Sequence, residues 1–470
     1  MSLRELLSGA RLYRLLLLLN GLATLAVCWG FRHHLGNDAW SYTTLADGIL
    51  HGKYSLWWRL PVSIPDTFRN PGYPLFVAAF RWFTESPVPL QCAQLLMYFA
   101  SVILMLRTIG LLGGGTMAKN VFLLILLPSI DLPYYIPTIF PEVVTMFLIC
   151  AFVYTEVSGP RTWRRIAMLA LLSGMAFQMR SSLLLFPVFW IVARWLLERK
   201  AFPWSHATTM LGVFGTTLFP YAMWNKSHHG VFRPTPLEGG AGAMHIGWWI
   251  GKIPGHTEHW YWGNVANHEL IPLTGNADIP ANIEVFDAEW SAIDSGLAPL
   301  LTRTDSIMLD SFAMNPRNFR TFNTRYTLAR EEALKKAVYR HVLEEPGYTI
   351  ALKAYTAIRL WVTGINVEQF NNSTLKGKLL QLYPLLLTLG IFLLAVCCIP
   401  IALLRHRPML YTLLPLLIPV VYLGLVHIPF TIQARYTIPV RILLFAAMAL
   451  SIEKMAGPGP RVTEISGKPD

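Results

Sequence analysis

Asp38 stands a few residues after the first long apolar run, inside the segment 36–80, GNDAWSYTTLADGILHGKYSLWWRLPVSIPDTFRNPGYPLFVAAF. A carboxylate at a membrane boundary is expensive unless it faces a polar cavity, so its position marks a candidate site. Within hydrogen-bond reach of a hydroxyl it could take that group's proton. Aspartate also caps helices, and Asp38 directly precedes a short helical stretch over 39–50, so both roles are open to it. Asp47 and Asp66 in the same segment read as solvated or structural carboxylates. Four arginines, Arg69, Arg180, Arg233 and Arg435, fall at the ends of apolar segments on the same predicted side as Asp38. A guanidinium can bond two phosphate oxygens at once, although a long basic side chain at a helix end also snorkels to headgroup water. Glu142 opens another apolar segment, where the helix dipole favours an acid for structural reasons alone.

Elements that bring such residues together must be membrane helices. The 470 residues are 54% hydrophobic and only 14% charged, where a soluble domain carries about a quarter charged residues. About ten segments approach the roughly 20 residues that a crossing requires. They lie near 14–30, 89–109, 119–137, 141–157, 165–179, 182–197, 206–224, 379–403, 409–427 and 436–452. The piece 73–83 is too short to cross and reads as re-entrant, set by the turn Arg69-Asn70-Pro71-Gly72-Tyr73-Pro74, whose prolines fix the chain's direction. The basic flank before the first run resembles a signal peptide, but the run is long and lacks a small-x-small cleavage site, so a retained span is expected.

Orientation follows from the basic clusters. Arg4, Arg11 and Arg14, then Arg161, Arg164 and Arg165, then Arg194, Arg199 and Lys200, then Arg405 and Arg407 all fall on one side if the spans alternate. The positive-inside rule makes that side cytoplasmic. Residues 36–80 and the long polar stretch near 225–378 are then extracytoplasmic. The expected organisation is a transmembrane module over 1–225 with a first external loop at 31–88, an external region over 226–378, carboxy-terminal helices over 379–455, and a disordered tail over 456–470. Inside the external region, 323–341 has helical spacing with Glu331 and Glu332 placed to pair with Lys335 and Lys336, and 349–362 reads as an amphipathic surface helix.

The order Asp38, Ala39, Tyr42, then Gly52-x-Tyr54, then Arg69-x-Pro-Gly-Tyr73-Pro resembles the first extracytoplasmic loop of the GT-C glycosyltransferases, in the branch of the dolichyl-phosphate-mannose protein mannosyltransferases and the lipid A aminoarabinose transferases. Arg435-Tyr436 with Pro439 resembles that family's Arg-Tyr-x-x-Pro at the last span. Met179-Arg180-Ser181-Ser182 resembles its Leu-x-Arg-Pro-Ser stretch with serine in place of proline. Thr138-Ile139-Phe140-Pro141-Glu142 resembles its threonine-rich stretch ending in glutamate, while Asp131 is a weaker match and a possible second polar group of the cavity. The exit Pro220-Tyr221-Ala222-Met223-Trp224-Asn225, followed by Gly239-Gly240-Ala241-Gly242, lacks an arginine that the family carries there.

The resemblance implies a polytopic all-α enzyme that transfers a sugar from a polyprenyl-phosphate donor to an acceptor hydroxyl of a lipid, glycan or protein. It implies an inverting displacement at the periplasmic face of a bacterial inner membrane, with Asp38 as base. Arg69, Tyr73, Arg180, Arg233, Arg435, Tyr436 and Glu142 become the expected substrate-binding residues. Rival readings are a ligase or polymerase using diphosphate-linked donors and a multispan transporter, although the paired halves common in transporters are not visible.

Other classes find little support. The net charge of +12 is spread in short clusters between apolar runs, which argues against nucleic acid as a partner. The five cysteines all lie in apolar runs and offer neither a disulfide framework nor a zinc framework. Glycines 239, 240 and 242 lack the βαβ context of a dinucleotide fold. No cofactor is called for. His228, His229, His245, His256, His259 and His268 read as loop histidines contacting sugar or solvent, since the His256–His259 pair does not follow the metalloprotease order. Trp248, Trp249, Trp260 and Trp262 read as interface or core residues.

Overall fold

A computed structural model describes residues 3–60, 64–253, 279–301, 324–364, 367–430 and 433–457. The expectations for His256, His259, His268, Trp260, Trp262 and the tail from residue 458 lie outside the described residues. The described residues form helices and no strand. In chain order these are α1 (Leu3–Leu7), α2 (Ala10–Phe31), α3 (Ala39–Leu50), α4 (Gly72–Arg81), α5 (Val88–Leu111), α6 (Thr116–Leu126), α7 (Asp131–Tyr134), α8 (Glu142–Val157), α9 (Trp163–Met179), α10 (Phe186–Glu198), α11 (Trp204–His229), α12 (Ala241–Trp249), α13 (Ile279–Leu297), α14 (Thr324–Glu344), α15 (Pro346–Arg359), α16 (Val367–Asn372), α17 (Leu375–Arg405), α18 (Met409–His427) and α19 (Ile438–Met455).

Among the described residues, six stretches are long and apolar enough to cross a membrane: α2, α5, Ser181–Ala201 around α10, α17, α18 and Arg435–Met455 around α19. Their packing divides them into centre and rim. Protein buries 83% of the apolar stretch of α19 but only 11% of that of α2, so α19 fills the middle, packed on α5, α6, α8, α17 and α18. Leu15, Leu18, Leu22 and Leu25 of α2 and Leu380, Leu386, Leu393 and Leu404 of α17 are exposed. Apolar side chains turned outward over a helix whose backbone bonds are internally satisfied suit a lipid surround.

The other apolar segments differ from expectation in informative ways. Segment 119–137 is not one helix: α6 stops at Leu126, because Pro128 has no N–H to continue the ladder, and the chain turns through α7 before α8 begins. Helices α8 and α9 have 16 and 17 residues, about 24–26 Å at 1.5 Å per residue, and they run as an adjoining pair. Helix α11 is long enough at 26 residues but too polar to rank with the six. The piece 73–83, expected to be re-entrant, forms α4, which begins one residue earlier and ends two earlier than expected. Within the polar region, Lys336 pairs with Glu332 at 3.8 Å. Glu331 instead accepts hydrogen bonds from the backbone N–H groups of Gly239 and Ala241, at the start of α12.

Opposite ends of the bundle have different chemistry. At one end Arg4 donates to the carbonyls of Ala456 and Gly457, Glu453 accepts from the N–H groups of Gly115 and Ala118, and Arg161 pairs with Glu198. At the other end lie the turn after α2, the start of α8, the end of α9 and the start of α19, which together carry Asp38, Glu142, Arg180 and Arg435. The loop before α4 is docked there by Asn70, whose amide donates to the Phe177 carbonyl at 2.6 Å. Gly72 sits so close behind it that a Cβ would lie 2.6 Å from the Gln178 carbonyl oxygen. Backbone cannot yield as a side-chain tip can, so we expect Gly72→Ala to cost about 1–3 kcal/mol of stability. Thermal unfolding of the two proteins in detergent measures it, and equal midpoints would show that the loop is not held at this distance.

Candidate functional site

Three turns of backbone build one polar centre at this end of the bundle. Gly36, at φ 89°, takes a left-handed conformation that L side chains rarely adopt, and a Cβ there would enter the Phe140 ring. Leu35 accepts the N–H of Ile139 at 2.8 Å, which fastens the turn after α2 to the segment before α8. Gln94 of α5 completes the tie by donating to the carbonyls of Ile136 and Thr138. Asp38 and Glu142 are thereby carried on two segments that are bonded to each other.

Asp38 occupies the position before α3 but makes no side-chain capping bond to it. Its carboxylate faces two guanidiniums: Arg435 Nη2 donates to Oδ2 at 2.9 Å, and Arg69 Nη2 lies 3.4 Å from Oδ1. Arg435 also reaches toward Glu142, with Nε 4.0 Å from Oε1, and Arg180 Nη1 approaches the same oxygen at 3.7 Å. One chain of charges therefore runs Arg69, Asp38, Arg435, Glu142, Arg180. Exposure falls along it, from 31% of the Asp38 side chain to 3% of Glu142.

Neighbours fix each arginine. Arg69 donates to the Tyr42 hydroxyl at 3.1 Å and to Ser41 Oγ at 3.3 Å, and its carbonyl accepts from the hydroxyls of Tyr54 and Tyr221. Burial works against its charge, but Tyr42 and Asp38 beside it more than offset this and raise its pKa. Asp66 is the turn residue expected, bonding the N–H groups of Phe68 and Arg69. Arg435 lies over the Phe140 ring at 4.7 Å, and Arg180 over Tyr436 at 5.3 Å, with Tyr436 stacked on His427. Such contacts are worth about 2 kcal/mol when desolvated.

The set is not internally satisfied. Among the described residues Arg69 Nε and Glu142 Oε2 are buried without a hydrogen-bond partner, and Arg180 Nη1 and Arg435 Nε reach Glu142 Oε1 only at ion-pair distance, too far for a hydrogen bond. An unserved buried polar atom costs about 1–3 kcal/mol. Three guanidiniums stand here against two carboxylates, and their hydrogen bonds to those carboxylates are incomplete.

Of the residues singled out in the sequence, Asp38, Arg69, Glu142, Arg180, Arg435 and Tyr436 converge here. Tyr73 lies one layer deeper, fully buried, donating to Gln94 Oε1 at 3.0 Å and edge-on to Tyr42. Arg233 folds into its own loop, bonding Thr235 Oγ1 and the Leu237 carbonyl. Asp47 pairs with Arg81. Asp131 pairs with Arg441 of α19, beside a narrow pocket lined also by Trp361, Thr388, Ile391, Phe392 and Phe445. Arg441 was missed, although a lone arginine inside an apolar run is the signal that finds such a pair.

Compared with protein-family models, with curated proteins and with solved structures, the chain matches none of them.

Proposed function

We propose that this multispan membrane protein is a glycosyltransferase that moves one sugar from a polyprenyl-phosphate donor to an acceptor hydroxyl at the extracytoplasmic surface. The observation that supports the reading is the row of three guanidiniums set against only two carboxylates, one of them the partly exposed Asp38. In the reaction Asp38 takes the acceptor's proton, and the acceptor oxygen bonds to the anomeric carbon. The bond from that carbon to the phosphate oxygen breaks with its electron pair on the phosphate, whose added charge Arg69, Arg180 and Arg435 stabilise. A single displacement of this kind inverts the anomeric centre and requires no second nucleophile.

Without donor, Arg69 and Arg435 are engaged by Asp38. Donor phosphate competes for the same guanidiniums and releases the carboxylate to hold the acceptor hydroxyl, which orders donor before acceptor. Initial-rate and product-inhibition patterns for an ordered mechanism are the expected result, and random addition would remove this coupling. Incubation of purified protein with monophosphate-linked and diphosphate-linked sugars tests the reaction itself. Transfer from the monophosphate donor is expected. Transfer only from diphosphates would favour a ligase, and transport without transfer would end the proposal.

The reading places this end of the bundle outside, opposite the basic clusters, with the shorter helices α6, α8 and α9 and the polar α11 completing about ten membrane helices beside the six long ones. In a background lacking native cysteines, Glu344→Cys should react with an impermeant thiol reagent on intact cells and Ser158→Cys should not. The reverse pattern would put Asp38 in the cytoplasm and sink the model.

A further inference from the structure

We propose that His245, Glu289 and His341 form a binding site for one divalent transition-metal ion of the zinc class, independent of the transferase reading. These residues come from α12, α13 and α14, and their ligand-capable atoms all lie within 4.8 Å of one another. Both imidazoles aim Nε2 at one carboxylate oxygen: His245 at 2.5 Å and His341 at 2.9 Å from Glu289 Oε2. Two imidazoles and a carboxylate are a donor set that suits zinc, with a fourth position left for water. Ligands about 2.0–2.2 Å from a tetrahedral ion stand about 3.3–3.5 Å apart, so small side-chain rotations convert the present triad into a ligand set.

The surroundings hold the three groups in place. Arg340 bonds the other carboxylate oxygen, Glu289 Oε1, leaving Oε2 turned toward the histidines. His341 stacks on Trp248 at 4.3 Å, and His245 lies against Phe286 and Trp290 at 5.6 and 5.4 Å between ring centres. His245 is fully buried and His341 nearly so. The ring contacts limit rotation of the two imidazoles, and the Arg340 bond is the outer partner that orients the carboxylate. Because the ligands sit on three helices far apart in sequence, bound metal closes two long loops and stabilises the polar region.

The test uses the full chain in detergent, stripped with a chelator and titrated with Zn²⁺ against a chromogenic competitor. Wild type should bind about one ion per chain. Glu289→Gln and His341→Gln should each weaken binding about tenfold or more. Chelation should lower the melting temperature of wild type, zinc should restore it, and the variants should not respond. Substoichiometric binding by wild type, or variants that bind like wild type, would show that the triad is only a hydrogen-bonded core network. Should the variants not fold, Co²⁺ bound to wild type decides: the intense visible bands of a four-coordinate ion support the site, and the weak spectrum of hydrated Co²⁺ overturns it.

Discussion

Asp38→Asn is expected to abolish sugar transfer while donor binding survives. Asparagine keeps the size of the side chain and lacks the basic oxygen, and general-base removal typically costs about 10²–10⁴ in rate. Helix α3 should tolerate the change, because Asp38 makes no capping bond to it. Loss of the carboxylate also releases Arg69 and Arg435 from their ion pairs, so the variant should hold donor phosphate at least as tightly as wild type. The combination of unchanged or tighter donor binding with a kcat lower by about a hundredfold or more separates a base from a structural anchor. Turnover within a few-fold of wild type would assign Asp38 to holding the two arginines in place and nothing else.

Arg435 is expected to show the second large effect, because it is the one side chain that contacts both acids of the row. Arg435→Lys keeps the charge but loses the planar fork, and the single ammonium cannot serve Asp38, Glu142 and a phosphate together. A loss of about 2–4 kcal/mol of transition-state stabilisation is expected for Arg435→Ala, with lysine intermediate. In kcat/KM that is roughly 30- to 1000-fold. Measuring both variants with donors of native and shortened lipid tails distinguishes a phosphate contact, which fails on both, from a tail contact. Near-normal turnover of the alanine variant on both donors would make Arg435 a headgroup anchor and leave Arg69 and Arg180 to bind phosphate.

Much of this centre could be read from residue type and position. An acid after the first apolar run and arginines at helix ends stand out because their surroundings are apolar, and a turn with two prolines fixes its own geometry. Arg233 has the same signature and yet serves its own loop, since only the fold reveals that Thr235 and Leu237 claim its donors. Helix type was legible where the apolar run was continuous, as in α5 and α18. It failed over 119–137, where Pro128 divides an apolar stretch into α6 and a turn. His245, Glu289 and His341 were invisible as a group, because their spacing follows no helical or motif period and the three helices meet only through tertiary packing.

Asp38 and Arg435 are 397 residues apart, and the helix that Arg435 introduces is the one buried at the middle of the bundle. At a synthesis rate of about 5–20 residues per second, the 397 intervening residues take roughly 20–80 s to make. For that time the growing chain has its first loop outside the ribosome but no central helix and no Arg435. A chain that has not reached α19 lacks both Arg435 and the central helix, so the row of charges at Asp38 forms only once α19 has been made.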